Sequence, residues 1–112
     1  GNQSTLSAAA RQEAYCALND VFAAAAYLLR PFGRLYLVHR AGRLAEIMAA
    51  LPGYGLRPER LRAVQPRAEK AANLVLVEAK KGGRGELSVL PPLIVYAGPG
   101  QYTEEMRRIY GR

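Results

Sequence analysis

The run Leu35-Tyr36-Leu37-Val38 is the tightest constraint on the fold. It follows directly on Pro31-Phe32-Gly33, a stop signal, and four apolar residues in a row read as a strand buried on both faces. Such a strand needs a neighbour on each side and a layer over each face. A second continuous run, Leu74-Val75-Leu76-Val77-Glu78-Ala79, reads the same way. Before and between the two runs the apolar spacing becomes helical. Leu18, Val21, Phe22, Ala25, Leu28 and Leu29 mark one amphipathic helix, with Asn19 and Asp20 in its first turn. Leu44, Ile47, Met48 and Leu51 mark another, ended by Pro52-Gly53. Helix alternating with strand points to an α/β fold.

The remaining segments fill in the order. His39-Arg40-Ala41-Gly42 reads as a loop, and Arg60-Leu61-Arg62-Ala63-Val64 alternates basic with apolar residues, as a strand near a sheet edge does. Lys80-Lys81-Gly82-Gly83-Arg84-Gly85 reads as a flexible basic turn. Leu87-Ser88-Val89-Leu90 and Leu93-Ile94-Val95-Tyr96 are two extended pieces separated by Pro91-Pro92. Thr103 is a good N-cap for a short last helix, with Glu104 and Glu105 at its positive end and Gly111 closing it. Residues 1–10 read as a loop or frayed entry. Three core strands with two helices amount to half of a doubly wound sheet, and 112 residues allow one domain at most, or part of one. The expectation is that residues 1–112 are part of a larger domain.

Composition removes several classes. Half the residues are hydrophobic, and Gly 11 and Pro 7 are ordinary usage, so a collagen-like, low-complexity or disordered chain is excluded. The longest apolar stretch, Val21 to Leu29, is far shorter than the roughly 18 residues a membrane helix needs. The start, Gly1-Asn2-Gln3-Ser4, has neither the basic nor the apolar region of a signal peptide. A single cysteine, Cys16, excludes an internal disulfide framework and fits a reducing, cytoplasmic compartment. One His and one Cys cannot close a zinc site. Cys16 with His39 makes a nucleophile pair on paper, but a buried thiol and a loop imidazole is the stronger reading. Glu104 and Glu105 read as helix-start carboxylates rather than an acid/base pair. The glycine-rich segment at 82–85 reads as a hairpin turn, because no helix follows it.

Charge narrows the partners. The net charge is +7, and from Arg30 to Arg84 twelve basic residues face four carboxylates, so the whole excess lies in the middle of the chain. A balance like this suits an anionic partner, nucleic acid first, with a solvated face as the plain alternative. His39-Arg40 follows the buried strand, and in open α/β sheets ligands bind beyond the carboxyl ends of the strands. Contact with substrate or RNA there stands against a plain solvated turn. Tyr96 and Tyr102 flank Gly98-Pro99-Gly100; packing against the strands is the stronger reading and base stacking the alternative.

Several segments, in order, carry a resemblance. Arg11-Gln12-Glu13, Leu18-Asn19-Asp20-Val21 and Leu28-Leu29-Arg30-Pro31-Phe32-Gly33-Arg34 resemble the segment after the Asn-Pro-Pro-Tyr motif of bacterial adenine-N6 methyltransferases. Leu37-Val38-His39-Arg40-Ala41-Gly42-Arg43-Leu44 is similar to that family's strand-five signature. The resemblance continues through Lys70 to Gly83, Leu90-Pro91-Pro92-Leu93-Ile94-Val95-Tyr96, Tyr102-Thr103-Glu104-Glu105 and Ile109-Tyr110-Gly111. The group most resembled methylates N6 of the adenine at position 37 of a valine tRNA, tRNA1(Val). Two positions depart from its pattern: Gln12 stands where His is common, and Ala17 where Thr is frequent, leaving Asn19 as the nearest capping side chain.

The resemblance implies the C-terminal half of a Rossmann-like class I methyltransferase, with strands five to seven, flanking helices, a short β-rich tail and a C-terminal helix. It implies S-adenosyl-L-methionine as cofactor and tRNA as partner. The family's glycine-rich cofactor loop and its Asn-Pro-Pro-Tyr motif are not in this sequence, so no catalytic or cofactor-binding residue is assigned here. In the intact enzyme the motif's Asn and Pro would hydrogen-bond the amine and its Tyr would stack on the extruded base. The RNA-binding candidates are Arg34, His39, Arg40, Arg43, Lys80, Lys81 and Arg84. No membrane partner is expected. Self-association, or pairing with an N-terminal half, is expected from the unmatched strand Leu35 to Val38. The rival readings are a non-enzymatic RNA-binding or assembly module, and a related enzyme methylating a protein glutamine amide.

Overall fold

The computed structural model describes residues 17–111. Cys16, Gln12 and the entry segment 1–10 lie outside the described residues. Helix α1 (Leu18–Leu28) turns Leu18, Val21, Phe22 and Ala25 inward, with Phe22 fully buried. Its N-cap is Ala17, which offers no side-chain acceptor. Asn19 lies inside the first turn and does not take over as cap; Asp20 supplies the acidic group there. The helix stops as the sequence indicates. Phe32 turns the chain in a left-handed conformation, φ 67°, and its N–H donates to the carbonyl of Lys81 at 2.8 Å.

Strand β1 (Arg34–Arg40) follows, then a 3-10 turn (Ala41–Arg43), helix α2 (Leu44–Ala50) and a second 3-10 turn (Leu51–Tyr54). His39 and Arg40 therefore end the strand rather than forming the expected loop. Two long strands come next, β2 (Leu56–Gln65) and β3 (Leu74–Lys81). The tail holds β4 (Ser88–Val89), β5 (Leu93–Ile94), a small hairpin of β6 (Tyr96–Gly98) and β7 (Gln101–Tyr102), and helix α3 (Glu104–Tyr110). Thr103 caps α3 as expected, its Oγ1 accepting from the N–H of Met106 at 3.2 Å, and Gly111 ends it.

The main sheet runs β1-β3-β2, with β4 and β5 both on the far side of β2. β3 is antiparallel to β1 and β2, while β4 and β5 run parallel to β2. The sheet is thus mixed, with β3 reversed in its centre. Two expectations about strands change. β2 is not at an edge, because β3 holds one side and β4 and β5 the other; its basic-apolar alternation marks two different faces instead. β1 is not buried on both faces. Leu35, Leu37 and His39 are half-buried on one face, whereas Arg34, Tyr36, Val38 and Arg40 are exposed on the other.

The reason is a one-sided helical layer. α1, α2 and the turn at Leu51–Tyr54 join the inner face of the sheet in one core: Phe22, Ile47, Leu51, Leu56, Val75, Val77 and Ala79. Each side chain of this kind stabilises by about 1.5–3 kcal/mol when fully buried. Alternate residues of β3 point away from that core, so Leu76 and Glu78 share the outer face with Tyr36 and Arg60. An apolar run does not reveal whether its second face is covered.

Candidate nucleic-acid interface

Strand direction sorts the cations. β1 and β3 pair with Arg34 opposite Lys80 and Arg40 opposite Leu74. From Arg34 to Arg40 is six steps of about 3.3 Å, or about 20 Å. Arg34, Lys80, Lys81 and Arg84 therefore cluster at the amino end of β1, and His39, Arg40 and Arg43 lie at its carboxyl end. The seven candidate residues form two groups, not one basic face.

Three residues of the amino-end group are engaged by carboxylates, a ring or helix carbonyls. Arg34 Nε meets Glu78 Oε2 at 3.1 Å and Glu59 Oε1 at 3.5 Å. Lys80 Nζ lies 3.9 Å from Glu59 Oε2 and 5.6 Å from the centre of the Phe32 ring. Lys81 Nζ donates to the carbonyls of Ala26 and Leu29, at 2.6 and 2.7 Å. Those are orphan acceptors at the C-terminal end of α1, where a cation also complements the helix dipole. Arg84 is exposed. Nearby, Arg57 Nε donates to the carbonyl of Gly85 at 2.7 Å and holds the glycine-rich turn.

At the carboxyl end, His39 Nδ1 accepts from the N–H of Arg40 at 2.9 Å. Arg43 makes a forked pair with Glu46, Nε to Oε1 at 2.6 Å and Nη2 to Oε2 at 2.9 Å. The N–H of Ala41 donates to the carbonyl of Asn73, and that of Asn73 to the carbonyl of Val64, both at 3.0 Å. These bonds tie the exit of β1 to the turn between β2 and β3. That turn carries Arg67 and Lys70, which the sequence reading counted in the basic middle but did not single out. Gln65 holds it from inside: Nε2 donates to the carbonyls of Ala68 and Lys70 at 3.1 Å each, with a longer contact to that of Arg67 at 3.5 Å. A glutamine at the end of a strand, followed by Pro66 and a polar turn, is the signal that marks it.

The tyrosine hairpin docks on the same turn. The N–H of Tyr96 donates to the carbonyl of Pro66 at 2.8 Å. Tyr96 and Tyr102 stack at 5.3 Å with 15° between the rings, and Tyr110 continues the row at 5.7 Å from Tyr102. The tyrosines thus pack on one another, Tyr96 and Tyr102 across the two strands of the hairpin and Tyr110 from α3.

On the outer face a groove of about 320 Å³ is lined by Tyr36, Val38, Leu76, Glu78, Arg60 and Arg62. Arg62 closes one side, bonded to Glu105 at 2.6 Å and to the Pro91 carbonyl at 2.9 Å. Among the described residues no group of three His, Cys, Asp or Glu is placed to hold a metal ion. No helix among them is long and apolar enough to cross a membrane. The glycine-rich segment does not fit a nucleoside cofactor such as S-adenosyl-L-methionine. The N–H groups of Gly82 and Gly83 are already bonded to the carbonyls of Gly55 and Lys80, at 3.0 and 3.3 Å, and the chain runs on into β4 rather than a helix.

The sequence matches no family model and no curated protein. A crystal structure does match: a predicted O-methyltransferase from Agrobacterium tumefaciens, with a TM-score of 0.76 and 28% identity, over 87% of this chain and 47% of that one. The fold is methyltransferase-like. The chain spans about half the length of that neighbour, and its mixed sheet with helices on the inner face is the expected α/β arrangement.

Proposed function

We propose that this chain is the C-terminal part of an S-adenosyl-L-methionine-dependent methyltransferase that acts on the N6 amine of adenine in tRNA. The likeness to the O-methyltransferase structure, at 28% identity over 87% of the chain, carries the methyltransferase half of the reading. The excess of basic residues, and the motif resemblance running along the chain, support RNA as the acceptor. The neighbour's printed activity favours a second reading, transfer to an oxygen. Deleting the gene and analysing digested tRNA by mass spectrometry separates them. Loss of one N6-methyladenosine supports the first reading, and an unchanged nucleoside profile removes it. By itself the 112-residue chain holds no tight cofactor site on this reading. Micromolar binding of S-adenosyl-L-methionine in a calorimeter would contradict that.

The edge of β1 away from β3 supports a completing strand. Among the described residues β1 pairs with β3 alone, and Tyr36 and Val38 beside that edge are 71% and 59% exposed. Two-fold pairing of β1 with a second copy, centred on Leu37, would set Arg34 of one copy opposite Arg40 of the other, and like charges directly opposed are destabilising. A strand from the rest of a larger sheet meets no such conflict. Sedimentation of the isolated chain tests this: association is expected, through an exchanged segment or a register offset from Leu37, and a well-folded strict monomer argues that β1 needs no partner.

A further inference from the structure

We propose that the carboxyl end of the sheet carries a track for single-stranded RNA, in which Arg67 and Lys70 contact phosphates and the Tyr96–Tyr102–Tyr110 stack supports a base. The inference rests on the RNA reading above and gives it a location. Four observations lead to it.

First, the turn between β2 and β3 is rigid although it is exposed. Gln65 bonds to its carbonyls from within, the N–H of Lys70 closes on the Arg67 carbonyl at 3.0 Å, and Asn73 returns the chain to Val64. Ala68, Glu69 and Lys70 are exposed on a backbone that is already fixed. Cations on a preorganised turn lose less freedom on binding a phosphate chain than cations on a loose loop.

Second, the tyrosine row is ordered but not buried. Tyr96, Tyr102 and Tyr110 are 38%, 41% and 66% exposed although their rings stack. Their positions are set by backbone bonds rather than by burial. Val95 and Tyr96 bond to Gln65 and Pro66, and Thr103 anchors the start of α3 by donating from Oγ1 to the Ile94 carbonyl at 2.6 Å. A row of aromatic rings ending in open water is a platform for another planar ring.

Third, the two features are joined. The bond from Tyr96 to Pro66 puts the hairpin one residue from Arg67. Fourth, the local charge is positive. Arg67, Lys70, Arg107 and Arg108 lie on the turn and on α3, against Glu69, which pairs with Arg67 at 3.5 Å, Glu104, which pairs with Arg108 at 3.9 Å, and Glu105, which Arg62 of β2 neutralises at 2.6 Å. Exposed pairs of this length are weak and exchange readily for phosphate. At the opposite end of the sheet Arg34 bridges Glu59 and Glu78 and Lys81 is held by helix carbonyls, which leaves Lys80 and Arg84 for an anion.

The test is anisotropy with the 112-residue protein, using a short fluorescein-labelled single-stranded RNA and unfractionated tRNA. Affinities are compared near 0.15 M salt, where charges beyond about 8 Å are largely screened, and the salt slope is read from a titration about that point. The double variant Arg67→Glu/Lys70→Glu is expected to weaken binding at least tenfold. The log–log salt slope should become shallower by about 1.4, two single-strand phosphates at about 0.7 each. Tyr102→Leu should cost about fivefold or more, and Tyr102→Phe, which keeps the ring, should bind as the parent does. Lys80→Glu/Arg84→Glu, at the far end, should change affinity less than about twofold at this salt. Far-UV circular dichroism checks that each variant is folded, and Tyr102→Phe reports on the stack without disturbing packing. If the parent binds but the loss follows Lys80 and Arg84, or Tyr102→Leu binds fully, the location is wrong while the RNA reading stands. If the parent binds neither RNA, both fall. Equal competition by polyglutamate would show a surface that reads charge alone, and would also overturn the track.

Discussion

The two ends of the sheet carry similar cations and use them differently. At the amino end of β1, Lys81 satisfies two carbonyls of α1, Arg34 bridges Glu59 and Glu78, and Lys80 lies over Phe32. At the carboxyl end, Arg67 and Lys70 sit on a turn whose backbone is already stapled by Gln65. At the first end Lys81 serves the fold by satisfying a helix end, whereas at the second Arg67 and Lys70 stand on a backbone that other groups fix, with Arg67 engaged by the exposed Glu69 on the same turn. Charge counted along a sequence therefore overstates the surface available to an anion wherever helix ends and carboxylates face the same strand.

Substitutions at the two ends should separate stability from binding. The largest effect expected is from Lys81→Met. It leaves the α1 carbonyls without their cation and should cost about 2 kcal/mol, with RNA affinity little changed. Urea unfolding with parallel anisotropy measures both, and a variant as stable as the parent would erase the contrast between the ends. Thr103→Ala removes the cap of α3 and should cost about 1 kcal/mol in the same unfolding assay. Because Thr103 also anchors the hairpin, the near-ultraviolet dichroism of the stacked tyrosines should fall with it.

Gln65→Leu should cost about 1 kcal/mol and show most clearly in hydrogen exchange. The amide of Lys70 is expected to lose protection while those of β3 keep theirs. Uniform loss across the sheet would mean that Gln65 supports the core rather than the turn. The smallest effect is expected from Arg34→Gln. Its ion pairs are partly exposed and should be worth less than about 1 kcal/mol, measured as a small shift in the unfolding midpoint that shrinks at high salt.

Much of the architecture was legible from spacing alone. The apolar faces of α1 and α2, the continuous run of β3 and the cap at Thr103 are local patterns, and local patterns survive folding when each agrees with the rest. What could not be read was non-local. Leu35 to Val38 looks alike whether its second face is covered or bare. Lys81 finds its acceptors at Ala26 and Leu29, more than fifty residues away along the chain. The candidate site suffered most, because the antiparallel register of β1 against β3 brings Lys80 and Lys81 to Arg34 and away from Arg40, and no spacing rule fixes a register between segments so far apart. Gln65 was missed because its mark is one of position, a glutamine ending a strand before Pro66 and a polar turn, which charge and hydropathy patterns pass over.

One irregularity in β2 has a consequence for how this chain tolerates change in length. Pro58 sits opposite Ala79 and Arg60 opposite Glu78, so Glu59 has no partner of its own and the strand bulges around it. Removing Glu59 would leave every later residue of β2 in its present place, with Leu61 still toward the core and Arg60 and Arg62 still on the outer face. Removing Leu61 would turn the remainder over and drive arginine into the apolar side. The bulge thus acts as slack: β2 can be shortened there without being rewritten, and a deletion scan across 57–63 followed by thermal melts should find its mildest losses from 58 to 60, where loss of Glu59 also gives up its ion pairs to Arg34 and Lys80.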